Sequence, residues 1–434
     1  MNYDFDKIID RRGTNSLKWD VPENELPMWV ADMDFGTAPE IQKAILDRAA
    51  HGVFGYSVIP KEWNNAYANW WERRHGFRME PDWLLFCSGV IPAISGVIGR
   101  LMKADEKILI QPPVYNGFYH AIERSGRELV ENPLIYTLGA SRNTYSSGVG
   151  GLRPLRYNGE SYKVDFEDLE QKLRDPKVSL MLLCNPQNPS GRIWSKEELK
   201  KIGELCAKYH VLVVSDEIHC DITDPGCGYV PFASVSDICR DNSITCIAPT
   251  KAFNLAGLKT AAVMVPHSEL RAQVQKGIQA NEASEPNSFS VEAAIAAFTR
   301  GEPWLEAMRD YIWENKKCVE DFLKTELPQV RMVSGKASYL VWLEYTLTDE
   351  VRPPRGDMYY GVSAGDTTSK KTSQRDINFA GFLRAQAGLY LVDGREYGES
   401  GSSFLRMNVG CPRSYVIEGL TRLKRGVELF ESMN

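Results

Sequence analysis

Lys251 stands in Ala248-Pro249-Thr250-Lys251-Ala252-Phe253-Asn254, directly after the strand-like run 244–247 and among small residues and one hydroxyl. Confinement of that kind lowers an ammonium pKa and yields the neutral amine that imine formation and proton abstraction require. Three other segments put a polar group in the same kind of setting. Asn188 lies in Cys184-Asn185-Pro186-Gln187-Asn188-Pro189-Ser190-Gly191-Arg192, whose two Asn-Pro steps hold the chain extended after an apolar run. Asp216 closes the run 211–215, and Arg406 interrupts the otherwise apolar Phe404-Leu405-Arg406-Met407. Each alone reads equally as a turn, a cap or a surface charge. Together, an amine, an amide, a carboxylate and a guanidinium at strand ends describe a site on the carboxyl edge of a parallel sheet, where open sheets bind ligands.

The elements that would carry these residues alternate. Strand-like runs at 83–87, 107–110, 179–183, 211–215, 244–247 and 261–265 are separated by helical periodicity, the pattern of an α/β parallel sheet. Trp63, Tyr67, Trp70 and Trp71 recur at helical spacing and predict a core-facing stripe more than a ligand box. Beyond residue 286 the pattern turns helical, then mixed, and closes on an amphipathic helix. We therefore expect an N-terminal arm (1–45) packing with the small domain, a large domain (46–285) with a mostly parallel sheet flanked by helices, and a smaller α+β C-terminal domain (286–434). Residues 137–158, rich in Gly, Ser and Arg, and 347–374, with Pro353-Pro354 and Ser/Thr/Lys runs, read as flexible insertions. A lid or docking role for them stays open.

Composition narrows the function classes. A chain of 434 residues with a formal charge of −6 argues against nucleic acid as an obligate partner. It has no apolar run of the roughly 18 residues that a membrane span needs, and its start lacks a secretory layout. Nine cysteines, scattered and partly inside apolar runs, predict reduced core thiols, a cytoplasmic setting and no metal site.

Over nearly its whole length the chain resembles the pyridoxal-5′-phosphate (PLP) enzymes of fold type I in the class I/II aminotransferase family. Within them it is similar to the MalY/PatB-type cystathionine β-lyases, or carbon–sulfur lyases. The likeness is carried by the Lys251 and Arg406 segments, Pro27-Met28-Trp29-Val30-Ala31-Asp32-Met33-Asp34-Phe35, Phe54-Gly55-Tyr56-Ser57, Gln111-Pro112-Pro113-Val114-Tyr115, Ser215-Asp216-Glu217-Ile218-His219 and Tyr339-Leu340-Val341-Trp342-Leu343. It implies that Lys251 binds PLP covalently and serves as general base, that Asp216 pairs with the pyridine nitrogen, and that Asn188 bonds the ring 3′-oxygen. Gly89, Val90 and Ile91 would hold the phosphate at a helix N-terminus, aided by Thr250 and Lys259. Lys259 stands where many relatives have arginine, keeping the charge but not the bidentate fork. Tyr56 would reach the phosphate of a neighbouring subunit, making a homodimer with shared sites. Tyr115 would stack on the ring, or else be a core aromatic. His219, where many aminotransferases have tyrosine, would sit near the ring oxygen or be a satisfied core histidine. Arg406 would grip the α-carboxylate of an amino-acid substrate, with Trp29, Val30 and Ala31 beside it. The implied reaction is α,β-elimination of L-cystathionine or related L-cysteine S-conjugates to a thiol, pyruvate and ammonia. An aminotransferase would use the same residues, and a regulatory or interaction protein on this fold is the third reading.

Overall fold

The computed structural model describes residues 3–137, 162–333, 335–345 and 378–433; apart from Thr137, the insertions expected at 137–158 and 347–374 lie outside the described residues. A seven-stranded sheet forms the centre: β1 (Leu84–Cys87), β2 (Lys107–Ile110), β3 (Glu128–Glu131), β4 (Val178–Cys184), β5 (Leu212–Asp216), β6 (Ser243–Ile247) and β7 (Ala261–Met264). Their order across the sheet is β1-β7-β6-β5-β4-β2-β3. The ladders from β3 through β6 are parallel, and β7 runs antiparallel to both of its neighbours. Helices cover both faces, so β4 to β7 are buried almost throughout, as continuous apolar runs require.

The six expected strands are present, with ends shifted by at most one residue. The first begins later than expected because Pro81–Trp83 forms a 3₁₀ turn. A seventh strand, β3, has no strong sequence signature: as an edge strand it carries Glu128 and Glu131 around only two apolar residues. The helix Lys196–Lys208 starts where a local signal says it should, with Ser195 and Glu198 forming a reciprocal capping box.

The aromatic stripe faces the core. Trp63, Tyr67, Trp70 and Trp71 on α2 (Lys61–His75) are all buried, and the Tyr67 and Trp70 rings pack against Phe298 at 4.6 and 5.2 Å. The helix α3 (Val90–Leu101), which opens directly behind β1, crosses α5 (Ser268–Ala280) where two glycines meet. A Cβ on Gly96 would lie 3.0 Å from the Gly277 backbone, and one on Gly277 would overlap the Gly96 carbonyl. The helices touch there backbone to backbone.

A second, antiparallel sheet, β8 (Val330–Val333), β9 (Leu340–Tyr345), β11 (Phe404–Asn408) and β10 (Val392–Asp393) in that spatial order, lies nearer the C-terminus. Its core includes Trp342 stacked on Phe404, with centroids 4.9 Å apart. The N-terminal segment Leu26–Pro27 pairs in parallel with Leu389–Tyr390, which brings residues 29–32 alongside β11. No helix among the described residues is long and apolar enough to cross a membrane.

Candidate active site

The carboxyl ends of β1, β2, β4, β5 and β6 open onto one cleft, and β11 supplies its far wall. Lys251 sits on the turn after β6, where its Nζ donates to the Ala31 carbonyl at 2.6 Å. Burial, reinforced by the charges of Arg406 and Lys259, lowers this amine to about 8, against the opposing pull of Asp32 and Asp216. Asp216 ends β5 and is 3% exposed. Among the described residues its carboxylate receives one hydrogen bond, from Ile218 N at 3.1 Å, and burial raises it to about 6. A carboxylate so poorly donated to has room for a protonated partner.

Asn188 is fixed by its neighbour. The Gln187 side chain donates to the carbonyls of Gln111 (3.0 Å) and Pro113 (2.7 Å), locking the Asn185–Arg192 loop to the turn that carries Tyr115. Asn188 Oδ1 accepts from Arg406 Nη1 at 3.3 Å. The Arg406 Nη2 donates to the Trp29 carbonyl at 2.7 Å, while its buried Nε has no acceptor. An arginine in a buried strand with one unmatched donor is built for an anion not supplied by the chain. The Tyr115 ring, mostly buried, lies over Gly117, where a Cβ would come within 2.5 Å of it. Burial raises its phenol, and the charges of Asp216 and Arg406 reach it. His219 is buried with Nδ1 3.3 Å from Ser338 Oγ; burial, then Lys251 and Arg406, push it down to about 3, so it is neutral.

Gly89 caps α3, leaving the N–H groups of Val90 and Ile91 without acceptors in the helix, at its positive end. Thr250 is buried beside Lys251, whereas Lys259 is exposed in a left-handed conformation (φ 52°). Tyr56 is not brought into this cleft: it is fully exposed, on a stretch with exposed Val53, Phe54 and Val58.

The segment Trp29–Asp32 is more than a neighbour. Arg406 takes the carbonyl of Trp29, Lys251 that of Ala31, and Asn408 Nδ2 those of Val30 and Asp32, both at 2.6 Å. The Tyr339 hydroxyl also donates to Ala31 O, at 2.9 Å. Asn408 and Tyr339 were not foreseen in these positions. The first could have been: it stands two residues after Arg406, hence on the same face of a strand.

These groups fit the PLP that the resemblance implies. A lowered amine, an under-donated carboxylate, free N–H groups at a helix start and an unmatched guanidinium donor correspond to an aldehyde, a ring nitrogen, a phosphate and a substrate carboxylate. Elsewhere, His75, Cys220 and Asp221 cluster closely enough to suggest a metal, but Asp221 Oδ1 is already taken by Arg74 Nε (3.0 Å), His75 (2.9 Å) and Trp70 (3.0 Å). That knot is a buried ion pair.

Comparison with known proteins agrees with the geometry. Residues 24–423 match the family model described as aminotransferase class I and II. Cystathionine beta-lyase PatB of Bacillus subtilis is 39% identical over 426 residues, covering 97% of this chain and 98% of that one. The crystal structure of cystalysin from Treponema denticola, which contains a pyridoxal 5′-phosphate cofactor, superposes with a TM-score of 0.85 at 26% identity over 99% of this chain and 100% of that one. The PLP-bound C-S lyase from Staphylococcus hominis does so with a TM-score of 0.82 at 30% identity, over 98% of each chain.

Proposed function

The chain belongs to the aminotransferase class I and II family, and within it we propose a PLP-dependent carbon–sulfur β-lyase that cleaves L-cystathionine or related L-cysteine S-conjugates. The observation that carries this reading is the Lys251 amine, lowered to about 8 and held in one cleft with Asp216 and Arg406. The lyase names of the relatives favour elimination over amino transfer. PLP, when bound, draws off the electron pair left at the substrate α-carbon once its proton is removed.

The chain's own groups do the rest. Arg406, steadied by Asn188 and the Trp29 carbonyl, holds the α-carboxylate and so fixes which bond at the α-carbon faces Lys251. The Lys251 amine takes the α-proton. Asp216 would hold a proton on the ring nitrogen, Asn188 would meet the 3′-oxygen, and Tyr115 would cover one face. His219, neutral and buried, adds no further positive charge beside Lys251. Val90 and Ile91 N–H groups behind Gly89, with Thr250 and Lys259, hold the phosphate. Ala31 and Val30 shape the substrate side. The thiolate leaves from Cβ, and the net reaction converts L-cystathionine and water to homocysteine, pyruvate and ammonia.

The exposed Tyr56 and its apolar neighbours support a homodimer in which this tyrosine completes the partner's phosphate site. The division into an arm (1–45), a large domain (46–285) and a small domain (286–434) belongs to the same reading. Nine unpaired cysteines support a reducing, cytoplasmic setting. The deciding experiment incubates the purified protein with L-cystathionine and no keto-acid. Equal amounts of pyruvate and homocysteine are expected; amino transfer to an added keto-acid that outruns thiol release on every sulfur substrate would overturn the lyase assignment.

A further inference from the structure

Among the described charged residues around Tyr390 and Tyr397, Arg384 and Arg395 are ion-paired and Glu396 is not. Arg384 lies 3.9 Å over the Tyr390 ring, and its Nε is paired with Glu25 at 2.9 Å. Arg395 is paired with Asp393 at 2.8 Å. Glu396 forms no ion pair among the described residues; its Oε2 receives a hydrogen bond from Asn116 Nδ2 at 3.0 Å.

Its position is tied to the substrate site from two sides. Asn116 follows Tyr115 in the chain. Tyr397, the residue after Glu396, has its carbonyl bonded to Val114 N at 3.0 Å and its ring 5.1 Å beneath the Arg406 guanidinium. Opposite, Trp29 stacks on Tyr390 at 4.7 Å, closing the rim with aromatic faces. Glu396 is exposed; partial loss of solvent raises its carboxyl, and the field of Arg406 reaches it. Through Tyr397 the Glu396 carboxylate thus stands one residue from the ring beneath the guanidinium proposed to hold the substrate α-carboxylate.

We propose that Glu396 is a specificity residue that selects substrates bearing a cationic group at the far end of the side chain, such as the distal ammonium of a thioether-linked bis-amino acid. The proposal rests on the Arg406 anchoring given above. A distal ammonium finds a carboxylate with no ion-pair partner among the described residues; a distal carboxylate meets the same charge and is repelled. Arg384 and Arg395, each paired with a carboxylate, reward a distal anion less than free cations would.

The test compares S-(2-aminoethyl)-L-cysteine with S-carboxymethyl-L-cysteine, side chains of similar length and opposite charge. Two measurements are made: kcat/KM for thiol release by the holoenzyme, and calorimetric affinity on PLP-loaded Lys251→Ala, which binds without turnover. Wild type should favour the aminoethyl compound. Glu396→Gln should cut the ratio of the two about tenfold, as expected for a partly exposed charge acting with opposite sign on the two probes, and Glu396→Lys should invert it. Because each result is a ratio, a general loss of activity does not move it. A wild-type ratio near one, or a ratio within twofold of wild type in both variants, overturns the proposal. Should no sulfur compound release a thiol, the lyase reading falls, and the affinity ratio still decides the role of Glu396.

Discussion

Replacing Asp216 with asparagine should make the cofactor-free protein more stable while damaging the enzyme. Asp216 is 3% exposed, and burial raises its carboxyl from the ordinary 3.8 to about 6. That gap, at about 1.4 kcal/mol per pKa unit, makes about 3 kcal/mol by which the empty fold disfavours the ionised form. The sign follows from proton uptake: between 3.8 and 6 the folded chain holds a proton that the unfolded chain has lost. Stability from this group is therefore present at low pH and lost as pH rises through 6. Asparagine never ionises, so at pH 8 the variant should gain about 3 kcal/mol. With an unfolding entropy of about 2.1 cal/mol/K per residue, this is roughly 3 °C for a chain of this length. At pH 5 the gain should fall to about half. Adding PLP should reverse the order, because only the aspartate balances a protonated ring nitrogen, and the state that binds ligand better gains more. Thermal unfolding with and without PLP, at pH 5 and pH 8, reads all four values. A cofactor-free Asp216→Asn protein no more stable than wild type at pH 8 would refute the reasoning.

With Lys251 lowered to about 8, cofactor capture by the cofactor-free protein should speed up by about tenfold per unit below pH 8 and level off above it; stopped-flow absorbance measures this, and a flat profile contradicts the placement. Mixing Tyr56→Phe and Lys251→Ala chains should restore activity beyond either alone, since one site of the mixed dimer is intact; a fully active monomer in light scattering would exclude it. Gly277→Ala should cost about 1–3 kcal/mol, because its methyl group would overlap the Gly96 carbonyl. It should also weaken PLP retention, since α3 carries the proposed phosphate cradle, and calorimetry should detect both.

Strand positions were legible because buried parallel strands are apolar runs cut by Gly, Pro and polar residues, as at Leu212–Asp216 and Ser243–Ile247. The direction of β7 was not, since nothing in Ala261–Met264 distinguishes a parallel from an antiparallel ladder. Polar side chains at strand ends, or inside an otherwise apolar strand like Arg406, stand out in a sequence, so Lys251, Asp216, Asn188 and Arg406 could be singled out. What those side chains grip did not stand out. The partners of Lys251 and of the Arg406 Nη2 are backbone carbonyls of residues 31 and 29, more than two hundred positions away. Every residue has a carbonyl, so composition and spacing cannot say which one is used. Tyr339 stands in a family-like phrase of the sequence, but only the fold shows its hydroxyl donating to Ala31 O.

Four successive carbonyls, from Trp29 to Asp32, are pegged by Lys251, Arg406, Asn408 and Tyr339. Two of those pegs are the groups that cofactor and substrate would claim. If cofactor and substrate claim Lys251 and Arg406, the Ala31 and Trp29 carbonyls each lose a donor, so the fastening of residues 29–32 should report how fully the cleft is loaded. Amide exchange or proteolysis at residues 29–32 would read that loading without any chromophore. By the same wiring, a deletion that removes this stretch acts as an active-site mutation, however far from Lys251 it lies along the chain.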